Sequence, residues 1–209
     1  MFTGLITDLG KVDNVKTIKN KKSIRIQHPF SDLVLGESIA VNGICLTVSS
    51  FSRTFFISDI LQETYRETTL SFMKNGEILH LERALQVGDR IGGHFLTGHI
   101  DDRARITTIQ KNEDIIISGK VTKEKMNFLV KKGSIGIDGV SLTIADCNNE
   151  YFTVHIVSHT ARKTKFKRLK VGDVVNIEYD ILLKHTASKD TISLGNNISK
   201  GFLEQHGFF

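Results

Sequence analysis

Two stretches of this chain repeat each other in register, and no other feature restricts its fold as much. Ser38 to Val48 reads SIAVNGICLTV; ninety-six residues later, Ser134 to Ile144 reads SIGIDGVSLTI. The same offset carries Phe55 and Phe56 onto Tyr151 and Phe152, Thr64 onto Thr160, and Thr68 onto Thr164. It also carries GEILHLE (Gly76 to Glu82) onto GDVVNIE (Gly172 to Glu178). Near the start the offset is 94, so that TGLITDLGKV (Thr3 to Val12) matches TGHIDDRARI (Thr97 to Ile106). A register held over that length marks a tandem duplication, with its seam near Gly93 to Thr97. The expected organisation is a first domain over 1–94, a similar second domain over 95–184, and a tail over 185–209 outside the repeat.

Each half reads mainly as strands. SIRIQ, SIAV, CLTV, TFFISDIL and EILHLE are short, rich in β-branched residues and roughly alternating. Asn42-Gly43 and Asp138-Gly139 are tight-turn dipeptides between strands. Short strands at close spacing predict a small closed barrel in each half. One helical piece is expected per half, FSDLVLG after Pro29 and KMNFLVKKG in the second copy. The tail could form a terminal helix with Ile192, Ile198 and Leu203 as apolar contacts, interrupted by Gly195, or it could fray.

Composition narrows the class. In 209 residues, 40% are apolar and 24% charged, which is globular and sufficient for two small domains. No stretch has the apolar length of a membrane span. The opening MFTGLITDLG lacks the basic and apolar regions of a secretory leader. Two cysteines form no disulfide framework and read as reduced thiols of a cytoplasmic protein. The net charge of +5 is concentrated in Lys19 to Lys22 and in RKTKFKRLK, Arg162 to Lys170. Such runs are solvated faces more often than nucleic-acid sites, and only Phe166 supplies an aromatic for base stacking.

A duplicated barrel binds two similar ligands or one symmetric ligand, so the informative positions are those where the copies differ. Cys45 faces Ser141, Asn42 faces Asp138, Glu63 faces His159, Gly36 faces Lys132, Leu5 faces His99, and Ala84 faces Asp180. Cys45, between Ile44 and Leu46, is either a packing residue or a thiol made reactive by its neighbours. His94 and His99, five apart, do not share a strand face and lack further ligands, so no metal site is expected. Cys45 with Thr47, and Ser141 with Thr143, each share one face of a strand. Those groups can bond the edge of a flat heterocycle or the neighbouring strand.

Together MFTGLI, SIAVNGICLTV, GGHFLTGHID, KGSIGIDGVSLTI and VGDVVNIEYD resemble the alpha-type riboflavin synthase family, from Met1 to about Asp180. The resemblance implies a mainly β fold: two tandem six-stranded Greek-key barrels plus a C-terminal helix that holds a homotrimer. It implies dismutation of two molecules of 6,7-dimethyl-8-ribityllumazine to riboflavin and a ribitylamino-pyrimidinedione. No external cofactor or metal is required, and no nucleic acid or membrane partner is expected. The active site would lie between the first barrel of one subunit and the second barrel of a neighbour.

The same resemblance makes Ser38, Cys45, His99 and Asp180 the catalytic candidates. His99 is the best general base among them, because imidazole changes charge near neutral pH. Phe2 would cover a ring. One pocket would comprise Gly4, Leu5 and Ile6, Cys45, Leu46 and Thr47, and the run Asp59, Ile60, Leu61, Gln62, Glu63 and Thr64. The other would comprise Gly98, His99 and Ile100, Lys132, Ser141, Leu142 and Thr143, and the run His155, Ile156, Val157, Ser158, His159 and Thr160. One departure stands out: Val157-Ser158-His159 lacks the Pro and the acidic turn usual in the family, and its flank is basic. The competing reading is a non-catalytic lumazine- or flavin-binding antenna protein of the same fold. Such proteins tend to lose the catalytic residues, whereas all four candidates are present here.

Overall fold

Alternation, tight turns and duplication meet in two β-structures joined back to back. A computed structural model describes residues 1–18 and 21–191. The first half contains β1 (Asp8–Ile18), β2 (Lys21–Gln27), β3 (Ser38–Val41), β4 (Ile44–Thr47), β5 (Ser50–Phe51), β6 (Phe55–Ile60) and β7 (Ile78–Arg83). The second contains β8 (Asp102–Lys111), β9 (Ile115–Lys120), β10 (Ser134–Ile137), β11 (Val140–Cys147), β12 (Phe152–Ile156) and β13 (Val174–Tyr179). The second half is a closed six-stranded barrel in the order β10-β11-β12-β9-β8-β13. Strand β9 thus neighbours β12 rather than its sequence successor β10, which is a Greek-key crossover.

The first half repeats this order in a seven-stranded sheet, β4-β3-β7-β1-β2-β6-β5. Its extra strand arises because the counterpart of β11 breaks after Thr47. Strand β4 pairs only with β3, and β5 pairs only with β6. In the second half β11 runs unbroken between β10 and β12, absorbing its bend in a bulge between Ile144 and Asp146.

Both tight-turn dipeptides form as expected. Asn42 and Asp138 have φ of 46° and 45°, and Gly43 and Gly139 have φ of 80° and 79°, the two positive values of a primed hairpin turn. The expected helical pieces do not form as expected. Residues 30–36 form an irregular segment ending in a turn at 35–36, and the second piece is a 3-10 helix at Lys123–Phe128. Leu33 and Leu129 are each buried, but too few apolar residues lie on one side to hold a longer helix. Helices form instead after β6 and β12, as α1 (Gln62–Glu67) and α2 (Ser158–Lys163), which are repeat mates. A third, α3 (Ile181–Thr191), follows β13. The expected tail contacts Ile192, Ile198 and Leu203 lie outside the described residues. No helix among the described residues is long and apolar enough to cross a membrane.

Each half has its own apolar interior. Ile24, Ile26, Ile39, Phe56, Leu79 and Leu81 fill the first; Ile117, Ile135, Ile144, Phe152, Val154 and Ile177 fill the second. A third cluster of Phe2, Ala40 and Leu96 lies at the seam, with Cys45 and Ala84 packed against it. The two hairpin turns of the halves touch, and a Cβ on Gly43 would lie 2.7 Å from the Gly139 nitrogen.

A polar network surrounds this contact with near-twofold symmetry. His80 and Asn176 are repeat mates. The His80 amide donates to Asn42 Oδ1 (2.9 Å), and the Asn176 amide donates to Asp138 Oδ1 (2.8 Å). Each side chain then crosses to the other half: His80 Nδ1 lies 2.8 Å from the Asp138 carbonyl, and Asn176 Nδ2 donates to the Asn42 carbonyl (2.9 Å). His80 Nε2 accepts from the Lys165 amide (2.9 Å), so Nδ1 carries the proton. Burial, reinforced by the Lys165 ammonium, lowers the His80 pKa to about 3.

Candidate functional site

The chemistry-bearing residues of each half lie on the outer face of its sheet, away from its apolar interior. Along β4, Leu46 points into the core while Cys45 is half-buried and Thr47 exposed. Along β11, Leu142 is buried while Ser141 is half-buried and Thr143 exposed. The alternation is the period-two geometry of a strand. Cys45 is therefore neither fully in the core nor fully in solvent. Its outward side meets the seam cluster rather than the barrel interior.

What covers these walls comes from the opposite half. The Cys45 amide donates to the Gly98 carbonyl (2.9 Å), and the Ser141 amide donates to the Gly4 carbonyl (2.9 Å). Ile100 packs on the first half's core and Ile6 on the second's. The structure thus exchanges the two turn segments between the pockets. Gly98, His99 and Ile100 accompany Cys45, whereas Gly4, Leu5 and Ile6 accompany Ser141. Sequence reasoning grouped each turn with its own half, because a repeat alignment is silent about which half a terminal segment crosses to.

Each crossing turn is held by a buried glutamate that sequence reasoning missed. Glu178 Oε1 accepts from the Thr97 amide (2.6 Å) and hydroxyl (2.7 Å), and Oε2 accepts from the Gly98 amide (3.0 Å). Glu82 makes the same set with Thr3 (2.7 and 2.8 Å) and Gly4 (3.1 Å). Burial raises the pKa of both carboxyls against the lowering effect of these bonds. The repeat pairs Thr3-Gly4 with Thr97-Gly98 and Glu82 with Glu178, so matched invariance within one chain was the available signal. Gly4 and Gly98 adopt φ of 77° and 81°, and a Cβ on either would approach Ser141 Cβ or Cys45 Cβ to 2.5 Å. Only glycine allows both the left-handed conformation and the close approach.

The two pockets then differ in their titratable groups. Beside Cys45 the exposed His99 follows Gly98, and its amide donates to Thr97 Oγ1 (3.2 Å). Ser38 lies on β3 directly opposite Thr47 of β4 and is half-buried. Beside Ser141 stands His94, whose Nδ1 is 2.7 Å from Ser141 Oγ. His94 is 9% exposed, and its Nε2 has no partner among the described residues. Burial lowers its pKa, opposed by the negative charge of Asp180. Asp180 itself follows β13 and accepts from the Leu182 amide (3.0 Å) at the start of α3. One chain therefore gathers Ser38, Cys45 and His99 at the first wall, and Asp180 with His94 at the second. The sequence singled out His94 only as a metal-ligand candidate with His99; its pairing with Ser141, 47 residues away, carried no local signal.

The remaining candidates frame these walls. Asp59 is exposed near the end of β6, Ile60 is buried, and Leu61 leads into α1, which carries Gln62, Glu63 and Thr64. His155 and Ile156 end β12 in the same way, and Val157 leads into α2 with Ser158, His159 and Thr160. The segment lacking the expected Pro therefore folds like its counterpart: Leu61 and Val157 have ψ of 146° and 153°, the extended geometry before a helix start. Lys132 is exposed with φ of 69°, matching Gly36 at 83°. A lysine in that conformation is uncommon. Phe2 is 1% exposed and sits in the seam cluster against Cys45. No group of three or more His, Cys, Asp or Glu among the described residues could hold a metal ion.

Comparison with known proteins agrees with this arrangement. A family profile described as the lumazine binding domain matches residues 3–84 and again 97–180. The riboflavin synthase of Actinobacillus pleuropneumoniae is 37% identical over 215 residues, covering 100% of both chains. That of Bacillus subtilis (strain 168) is 37% identical over 217 residues with the same coverage. That of Schizosaccharomyces pombe is 38% identical over 191 residues, covering 89% of this chain and 92% of the relative. Among solved structures, LumP complexed with riboflavin superposes with a TM-score of 0.80 at 24% identity, covering 86% of this chain and 99% of LumP. LumP complexed with 6,7-dimethyl-8-(1'-D-ribityl) lumazine gives a TM-score of 0.78 at the same identity and coverage. With two lumazine binding domains and relatives of this name matched from end to end, the chain belongs to the riboflavin synthase family.

Proposed function

We propose that the chain is a riboflavin synthase that dismutates two molecules of 6,7-dimethyl-8-ribityllumazine. A four-carbon unit passes from one to the other, giving riboflavin and 5-amino-6-(D-ribitylamino)uracil, the last step of riboflavin biosynthesis. The observation that carries this reading is the pair of related but chemically unlike walls, Cys45 with His99 against Ser141 with His94 and Asp180. A dismutation needs one substrate in two roles. Two copies of a binding wall, diverged in their acid–base groups, supply those roles.

In this reading the Thr47 and Thr143 hydroxyls and the α1 and α2 starts hold the ribityl chain, while Cys45 and Ser141 meet the ring system. His99 takes a proton from the acidic ring methyl, and Cys45 adds to or protonates the partner ring. Ser38 and Asp180 steer the remaining proton transfers. The two lumazines together contain every atom of both products, so neither an external cofactor nor a metal is required. Bringing two rings together in a fixed stack lowers the barrier chiefly through proximity and orientation. A homotrimer would place the first wall of one subunit against the second wall of its neighbour. Free Cys45 and Cys147 suit a reducing cytoplasm.

The LumP complexes favour one alternative, binding without turnover. Adding the lumazine to the purified protein and following the riboflavin absorbance band separates the two. Growth of that band supports the synthase. Bound-lumazine fluorescence with no growth of the band overturns it in favour of an antenna protein.

A further inference from the structure

A sizeable cavity lies away from both walls, at the junction of the two halves. Its volume is about 700 Å³. That is within the size range of small-molecule sites, which favour domain interfaces. The first half contributes Thr69, Phe72 and Ile78, and the second contributes their repeat mates Lys165, Arg168 and Val174. The cavity therefore straddles the near-twofold axis, and its two sides were once alike. They no longer are. One side presents the half-exposed Phe72 ring, over which the Arg103 guanidinium lies 5.5 Å from the centroid, and the other presents an exposed guanidinium in its place.

The charges of the lining are unevenly satisfied. All three of its carboxylates are engaged. Asp138 Oδ2 pairs with Lys165 Nζ at 3.0 Å, and its Oδ1 accepts from the Asn176 amide. Glu77 accepts from the Lys74 amide (3.3 Å), and Asp173 accepts from the Lys170 amide (2.8 Å). The cations are left over. Among the described residues Lys74, Arg105 and Arg168 make no ion pair, and Arg105 donates only to the Gly172 carbonyl (2.9 Å). A cavity with an apolar floor of Ile78, Leu169 and Val174, one aromatic side and unpaired guanidinium groups matches a flat ring that carries a negative charge.

We propose that this junction cavity binds a small planar aromatic anion, with its ring against Phe72 and its carboxylate, sulfonate or phosphate on Arg168 and Arg105. Such a ligand touches both halves at once, on the side of the hairpin contact where Thr69 and Lys165 close the polar network. The site is separate from the lumazine walls and does not depend on the synthase reading.

The probe is 8-anilinonaphthalene-1-sulfonate, titrated calorimetrically into the full chain with and without saturating riboflavin. The expected result is one site per chain whose affinity riboflavin leaves unchanged. Arg168→Gln combined with Arg105→Gln should weaken it roughly tenfold or more, as expected for loss of charge-assisted bonds to the anion. Phe72→Ala should weaken it severalfold. The uncharged N-phenyl-1-naphthylamine should bind roughly tenfold more weakly than the sulfonate. All three residues are exposed, and unchanged circular dichroism of the variants establishes that they fold. No binding, competition by riboflavin, or equal affinity in the arginine and Phe72 variants overturns the proposal. Failure of lumazine conversion leaves this test intact, because neither the probe nor the variants touch the outer walls.

Discussion

Cys45 and Ser141 occupy one position of the repeat but keep different company. Ser141 has a buried imidazole within hydrogen-bond reach, whereas Cys45 packs against the seam cluster and its amide donates to Gly98, the residue before the exposed His99. Replacing Cys45 by Ser, or His99 by Ala, should therefore lower kcat by at least about tenfold while lumazine affinity changes by less than about threefold. Steady-state rates beside fluorescence titrations check this, and equal losses in rate and affinity would contradict the assigned roles. His80 offers a second test at this scale. Its pKa of about 3 in the fold lies below the ordinary 6.5 of an unfolded chain, so the neutral ring is the stabilised form. That contribution is present above pH 6.5 and is lost as the pH falls from 6.5 toward 3. Between pH 7 and pH 5 it should remove about 2 kcal/mol of stability. The groups around the ring are Lys165, Asp138 and Phe166. His80→Asn, which copies the Asn176 of the second half, should abolish that part of the acid loss in urea titrations at the two pH values. An unchanged acid loss in the variant would place the effect elsewhere.

At the level of elements, the strands and the two Asn-Gly and Asp-Gly hairpins were legible because they are local. Alternation sets which side chain faces the core, and a primed turn demands residues tolerant of positive φ. The break between β4 and β5 was not legible, since Val48 and Ile144 are both apolar and both buried. Nor were α1 and α2, each six residues long and too short to show a helical period. The crossing turns were half legible. Thr-Gly repeats in the sequence, but the glutamates that hold those turns lie 79 and 81 residues away. Gly98→Ala should cost several kcal/mol, because both the left-handed φ and the 2.5 Å approach to Cys45 forbid a methyl group. Glu178→Gln should loosen the turn over Cys45, and Glu82→Gln the turn over Ser141. Thiol-labelling rates at Cys45 read this out directly: faster labelling in Glu178→Gln and little change in Glu82→Gln is expected. The reverse order would mean that the turns serve their own halves.

Over the whole molecule, duplication predicted two similar bodies but not how they join. The junction depends on a swap of polar pairs that the sequence shows only as unrelated substitutions. Asn42 with Thr69 in the first half becomes Asp138 with Lys165 in the second, an ion pair whose side chains are 2% and 13% exposed. Lys165→Thr alone leaves a buried carboxylate unpaired and should cost about 3 kcal/mol. The double change Asp138→Asn with Lys165→Thr copies the first half and should recover most of that loss in denaturant titrations. An additive double variant would show that the pair does not act as a unit. In the proposed function, duplication also joins the fold to its chemistry, since two unlike walls derived from one ancestor would give one substrate two roles. The product ratio tests that claim most directly. The purified protein is incubated anaerobically with 6,7-dimethyl-8-ribityllumazine as the only added organic compound, and the products are quantified by chromatography. Two lumazines consumed for each riboflavin and each ribitylamino-pyrimidinedione formed is the predicted result, and any other ratio, or lumazine recovered unchanged, would contradict it.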